Sequence, residues 1–256
     1  MLRFDDCDGS VSVFRQPSNN SNDNAVDCEG RLITCEHLSR RVTRTEHNGA
    51  ITVVADTYKG KRFNSPNDVV VKSDGSIWFS DPSYGILFDS ERGNAPSEIG
   101  ACHVYRVDPN TKEVTIVASD FEKPNGLAFS PDENFLYIAD TGITHQVDGP
   151  KHIRKLTLQD DGKSLGKSEI FAICTAGLFD GFRIDENGRI WASAADGAHC
   201  LDPDGTLIGK IKIPELVSNL CFGGEKRNRL FICGTTSLYA VFLAINGDTT
   251  QFQAYA

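Results

Sequence analysis

Short runs of apolar residues alternate with polar turns along the whole chain. The runs are rich in Val, Ile, Phe, Tyr and Trp, and the turns are Ser73-Asp74-Gly75, Pro131-Asp132-Glu133-Asn134, Glu186-Asn187-Gly188 and Asp202-Pro203-Asp204-Gly205. This pattern predicts strand, turn, strand. Val69–Val71 and Ile77–Phe79 form one hairpin, and Ile184 with Ile190–Trp191 forms another. The pairs 104–107 with 114–117 and 198–201 with 207–210 follow them. No stretch keeps a 3.6-residue period, so little helix is expected. Segments 85–100 and 141–152 are polar and Gly-rich and read as loops over a channel mouth.

The hairpins recur. Units opening at Asn22, Asn67, Asn125, Asp180 and Asn219 share one shape, with spacings of 45, 58, 55 and 39 residues. Two hairpins per unit give the four strands of a propeller blade. If the first strand of each unit is innermost, those five polar residues crowd one end of a central channel. Rings of amide and carboxylate oxygens suit a cation, while Asn and Asp also cap strands by bonding nearby backbone. Both readings stand at this point.

Composition narrows the class. Repeats over nearly all 256 residues predict a single domain across 1–256. A net charge of −9 with no basic cluster disfavours nucleic acid. No apolar run reaches the length that spans a bilayer, and the acidic opening MLRFDDCDGS does not read as a secretory signal. Eight dispersed cysteines without a Cys-x-x-Cys motif read as reduced thiols, which fits the cytoplasm. There is no Gly-x-Ser-x-Gly elbow, which disfavours a serine hydrolase.

Three long motifs carry a resemblance: RFNSPNDVVVKSDGSIWFSDPSYG (62–85), KPNGLAFSPDENFLYIADTG (123–142) and LFDGFRIDENGRIWASAADG (178–197). They resemble the family of gluconolactonases, regucalcin (senescence marker protein) and luciferin-regenerating enzyme. Segments 35–49 and 229–241 resemble its bacterial and fungal gluconolactonase-like branch. The resemblance implies a six-bladed β-propeller with one divalent metal at the channel mouth. It implies Asn67, Asn125 and Asp180 as metal ligands, with Asp180 also the catalytic base and Asn67 also touching substrate. His37 and Arg41 are further substrate-side candidates. The family's Glu-Gly-Pro ligand motif has no counterpart, so the first blade is expected to be incomplete at the N-terminus.

The expected function is therefore metal-dependent hydrolysis of sugar-acid lactones such as glucono-1,5-lactone. All-oxygen ligands favour Ca²⁺, with Zn²⁺, Mn²⁺ and Mg²⁺ as alternatives. Glu36, Asp81 and Asp140, which close second strands, could add charge but suit supporting roles better. The rival readings are a hydrolase of other esters or phosphotriesters on the same site, and a catalytically weak calcium-binding propeller. An unfinished blade would expose a strand edge and invite a homodimer.

Overall fold

The computed structural model describes residues 1–87 and 94–250. Among the described residues the hairpins form five antiparallel sheets of three or four strands, with two separate two-stranded hairpins, Leu2–Phe4 with Val11–Val13 and Thr57–Tyr58 with Lys61–Arg62. Blade I holds strands Ser21–Val26, Leu32–Glu36, Arg41–Thr45 and Ile51–Ala55. Blade II holds Val69–Val71, Ile77–Asp81, His103–Val107 and Val114–Ala118. Blade III holds Pro124–Phe129, Phe135–Asp140, His152–Leu158 and Leu165–Ile173. Blade IV holds Phe182–Ile184, Ile190–Ala194, Gly197–Leu201 and Leu207–Lys212. Blade V has three strands, Val217–Gly223, Arg229–Gly234 and Leu238–Phe242. In every blade the strands pair in sequence order, and from blade I to blade V each first strand packs against the next blade's first strand. Each predicted hairpin forms with its expected turn, and Gly75 and Gly188 take the left-handed conformations those turns need (φ +81° and +77°).

The number of blades corrects the six-bladed expectation: there are five among the described residues. The first twenty residues supply only a hairpin, Leu2–Phe4 with Val11–Val13, whose strands pair with each other alone. It leans on blade V through Phe4 against Phe231 and an Asp6–Arg229 ion pair. No sixth innermost strand stands between blades V and I among the described residues. Across that junction the Asn219 side-chain amide donates to the Asp23 carboxylate at 2.9 Å, and Arg15 and Asn19 bind Glu36 of blade I.

The core lies between blades. Trp78 of blade II packs edge-on against Phe129 of blade III, 5.3 Å between centroids. Phe63, Phe79 and Tyr105 form a buried aromatic group near blade I. Tyr84–Leu87, predicted as loop in part, forms one helical turn, and Gly142–Thr144 a 3₁₀ turn. The middle of the expected 85–100 loop lies outside the described residues. No described helix is long and apolar enough to cross a membrane. None of the eight cysteines is joined in a disulfide.

Candidate active site at the channel mouth

The inner strands all run away from one end of the axis, and the unit-opening residues gather at that end. Backbone bonds tie neighbouring inner strands there: Asp23 N–H to the Asn67 carbonyl, Gly126 N–H to the Asp180 carbonyl and Gly181 N–H to the Ser218 carbonyl. Only glycine permits this approach at 126 and 181. A Cβ on Gly126 would meet the Asp180 carbonyl at 2.2 Å, and one on Gly181 would meet Asn219 Oδ1 at 2.2 Å. The Asn-Gly and Asp-Gly pairs of the motifs are thus packing requirements that bring Asn125 and Asp180 together.

Asn125 is buried, and its amide nitrogen donates to Thr141 Oγ1 at 3.3 Å and reaches the Asp180 carboxyl. Its Oδ1 is buried without a hydrogen-bond partner. Burial pushes the Asp180 carboxyl up to about 7, against the opposing pull of the Asn125 amide, and the Asp23 charge adds to the rise. Thr141 is gripped in turn: its N–H and hydroxyl donate to the Lys123 carbonyl, and Tyr84 Oη lies 2.7 Å from Thr141 Oγ1 and 2.9 Å from Thr144 Oγ1.

Asn67 is buried at the same level, with its backbone carbonyl receiving Asp23 N–H and the Asn22 amide. No hydrogen bond joins its side chain to Asn125 or Asp180 among the described residues. Arg41 is engaged elsewhere, donating from Nε to Glu36 at 2.8 Å on the third strand of blade I. His37 is buried and its Cβ lies against Gly85 of the helical turn. Glu36 is consumed by Arg15, Asn19, Ser39, Arg41 and Thr43. Asp81 accepts the N–H groups of Asn64 and Ser65, and Asp140 those of Glu122, Lys123 and Gly142. These three carboxylates shape the loops that precede or follow the inner strands.

Deeper in the channel lies a second buried group. Arg183 donates to Asp23 at 3.2 Å, and Asp23 also receives Asn219 and Val69 N–H. Burial and then the Asp23 charge hold Asp68 well above the usual carboxylate range. Burial opposes the Arg183 charge, but Asp23 and Asp68 outweigh it and hold the guanidinium above its ordinary value. Beyond it, a cavity of about 280 Å³ runs between the inner strands. At the far end Asp248 N–H bonds the Ile184 carbonyl and Thr250 Oγ1 the Pro131 carbonyl, so the C-terminal segment crosses that mouth.

The donor set can be tested against a cation. No group of three or more His, Cys, Asp or Glu side chains stands in metal-holding geometry among the described residues. An imidazole, thiolate or all-carboxylate centre is therefore not built here. What is built is one carboxyl, Asp180, beside an orphaned amide oxygen, Asn125 Oδ1. These are hard oxygen donors, and they fit a hard divalent cation completed by water and substrate.

A family model described as the SMP-30/Gluconolactonase/LRE-like region matches residues 1–236. The chain belongs to this family. It is 31% identical to the gluconolactonase of Zymomonas mobilis, covering 91% of this chain and 70% of the relative. It is 28% identical to the 6-deoxy-6-sulfogluconolactonase of Pseudomonas putida, covering 90% and 74%. A solved gluconolactonase from Xanthomonas campestris superposes with a TM-score of 0.86 at 36% identity, covering 96% of this chain and 78% of that one. Membership confirms the resemblance read from the three motifs.

The motifs also held residues that sequence reasoning passed over. Lys123 opens KPNG two residues before Asn125, Thr141 follows Asp140 in ADTG, and Tyr84 precedes the glycine of DPSYG. Their signal was position, each directly beside an assigned residue or strand end. Asp23 and Asp68 each follow a unit-opening Asn, yet nothing in the sequence pairs them with Arg183, which they meet only across the channel.

Proposed function

We propose that this protein hydrolyses sugar-acid lactones such as glucono-1,5-lactone to the open aldonic acid, using one divalent cation, with Ca²⁺ first among the choices. The observation that carries the proposal is the Asn125–Asp180 pair: a carboxyl raised to about 7 beside a buried, unpartnered amide oxygen at the mouth of a channel. The lactonase relatives support the substrate class.

Asp180 and Asn125 Oδ1 would hold the cation, with Asn67 a further amide ligand or a contact to the substrate hydroxyls. When bound, the cation supplies Lewis-acid polarisation of the lactone carbonyl and charge to balance the developing oxyanion. Asp180 accepts the proton of the attacking water and returns it to the departing ring oxygen as the ester C–O bond breaks. The Asn125 amide orients that carboxylate, Thr141 fixes the amide plane, and the Tyr84 hydroxyl fixes Thr141. Because Arg41 is held by Glu36, it serves to lock blade I, and His37 supports the helical turn that carries Tyr84.

The test is glucono-1,5-lactone hydrolysis by chelated protein, before and after adding back Ca²⁺, Zn²⁺, Mn²⁺ or Mg²⁺ singly. Activity lost to the chelator and restored by one cation supports the reading and names that cation. A folded, cation-loaded protein that leaves the lactone intact overturns it.

A further inference from the structure

A cation of the protein's own stands beside Tyr84, whose hydroxyl meets the Thr141 hydroxyl that receives the Asn125 amide. Lys123 lies two residues before Asn125, in the bend that leads into strand Pro124–Phe129. Its backbone carbonyl takes both bonds from Thr141, the residue that grips the Asn125 amide. Its Nζ donates to the Ser83 hydroxyl and sits 5.9 Å from the centre of the Tyr84 ring. No carboxylate lies within ion-pair distance of this ammonium among the described residues. The nearby Asp140 is occupied by backbone N–H groups, and Glu122 by the Gln146 amide. Lys123 lines a cleft of about 380 Å³ together with Cys102, Ser119, Glu122, His145 and Gln146. Burial, then the Lys123 charge, holds His145 below its ordinary value, which places the ammonium close to that ring.

In a chain of net charge −9, an ammonium with no carboxylate partner among the described residues is a specific feature. An ammonium held by one neutral hydroxyl and faced by an aromatic ring is ready to exchange a weak partner for an anion. We propose that Lys123 and its cleft form a specificity subsite for an anionic substituent, a phosphate or sulfonate, on the lactone's exocyclic carbon. The inference rests on the lactonase reading and names the substrate class of that same site. Lys123 attracts the substituent and takes no part in bond making, so it is a positioning residue.

The experiment compares kcat/KM for 6-phosphoglucono-1,5-lactone and for glucono-1,5-lactone in the wild type, Lys123→Met and Lys123→Arg. The wild type should prefer the phosphorylated lactone. Lys123→Met should lower the ratio of the two constants about tenfold or more, chiefly through KM, with Lys123→Arg restoring most of it. The preference should also weaken as salt is raised from about 0.01 to 0.5 M. A wild type without the preference, or an unchanged ratio in Lys123→Met, overturns the subsite. A wild type that opens neither lactone overturns the lactonase reading instead. Calorimetric binding of 6-phosphogluconate against gluconate then decides the subsite alone: tighter binding that Lys123→Met abolishes sustains it, and equal binding ends it.

Discussion

At the residue scale the site depends on what surrounds Asp180. Asp180→Asn keeps the shape and removes the base and the charge. Turnover in lactone assays should fall by about 10³-fold or more, the usual range for losing a general base being 10²–10⁴, while the fold survives by circular dichroism. Retained activity with bound cation would exclude the base role. The carboxyl also sets how cation binding responds to pH. With a value of about 7, Asp180 is largely protonated at pH 5.5 and largely ionised at pH 8, and a cation needs the ionised form. Saturating Ca²⁺ should therefore raise the melting temperature clearly at pH 8 and much less at pH 5.5, since ligand at about 100 times its dissociation constant adds roughly 2.7 kcal/mol. An equal shift at both values would remove Asp180 from the ligand set. Of these residues, Asn125 and Asp180 were legible in the motifs. The orphaned oxygen and the raised carboxyl were not, because burial is a property of the folded surround.

At the element scale, two devices hold the inner strands. One is the glycine that follows Asn125 and Asp180. Gly181→Ala would drive a methyl into the Asn219 side chain, and Gly126→Ala into the Asp180 carbonyl. The backbone contact cannot yield, so Gly126→Ala should cost about 1–3 kcal/mol in urea unfolding, the range for overpacking, and should lower activity by displacing Asp180. The other device is the carboxylate that closes a second strand. Burial pushes Asp81 up to about 7 even though Asn64 and Ser65 N–H groups pull it down. Its folded value lies above its unfolded one, so the folded state holds the extra proton. Stability is greatest below about pH 4 on this account and is lost as pH rises through 7. The slope approaches about 1.4 kcal/mol per unit at its steepest. Asp81→Asn should flatten that decline in denaturation measured from pH 4 to 8. The hairpins themselves were written in the sequence, since apolar runs and turn residues act locally.

At the scale of the whole molecule, closure is made by a charged group. Asp23 of blade I, Asn219 of blade V and Arg183 of blade IV meet in the channel, and Asp68 of blade II is buried beside them. Arg183→Met would leave the two carboxyls without their cation. The expected loss is about 3–5 kcal/mol, as for breaking a buried pair from one side, read as a lower urea midpoint. Adding Asp23→Asn to Arg183→Met should recover part of that loss. Strictly additive losses would mean that the two side chains do not couple.

The sequence by itself determined the strands, the turns, the repeat and the identity of the oxygen donors, because propensity, alternation and motif all act within some twenty residues. It also carried the family, through three motifs long enough to be specific. The number of blades was decided only by tertiary structure. Six were expected from the resemblance and five form among the described residues, with Asn219 of blade V bonded to Asp23 of blade I across the junction. The same holds for the deeper Asp–Arg group, whose members lie up to 196 residues apart in the chain. Contacts between distant blades depend on how the ring closes, and no local pattern encodes that closure.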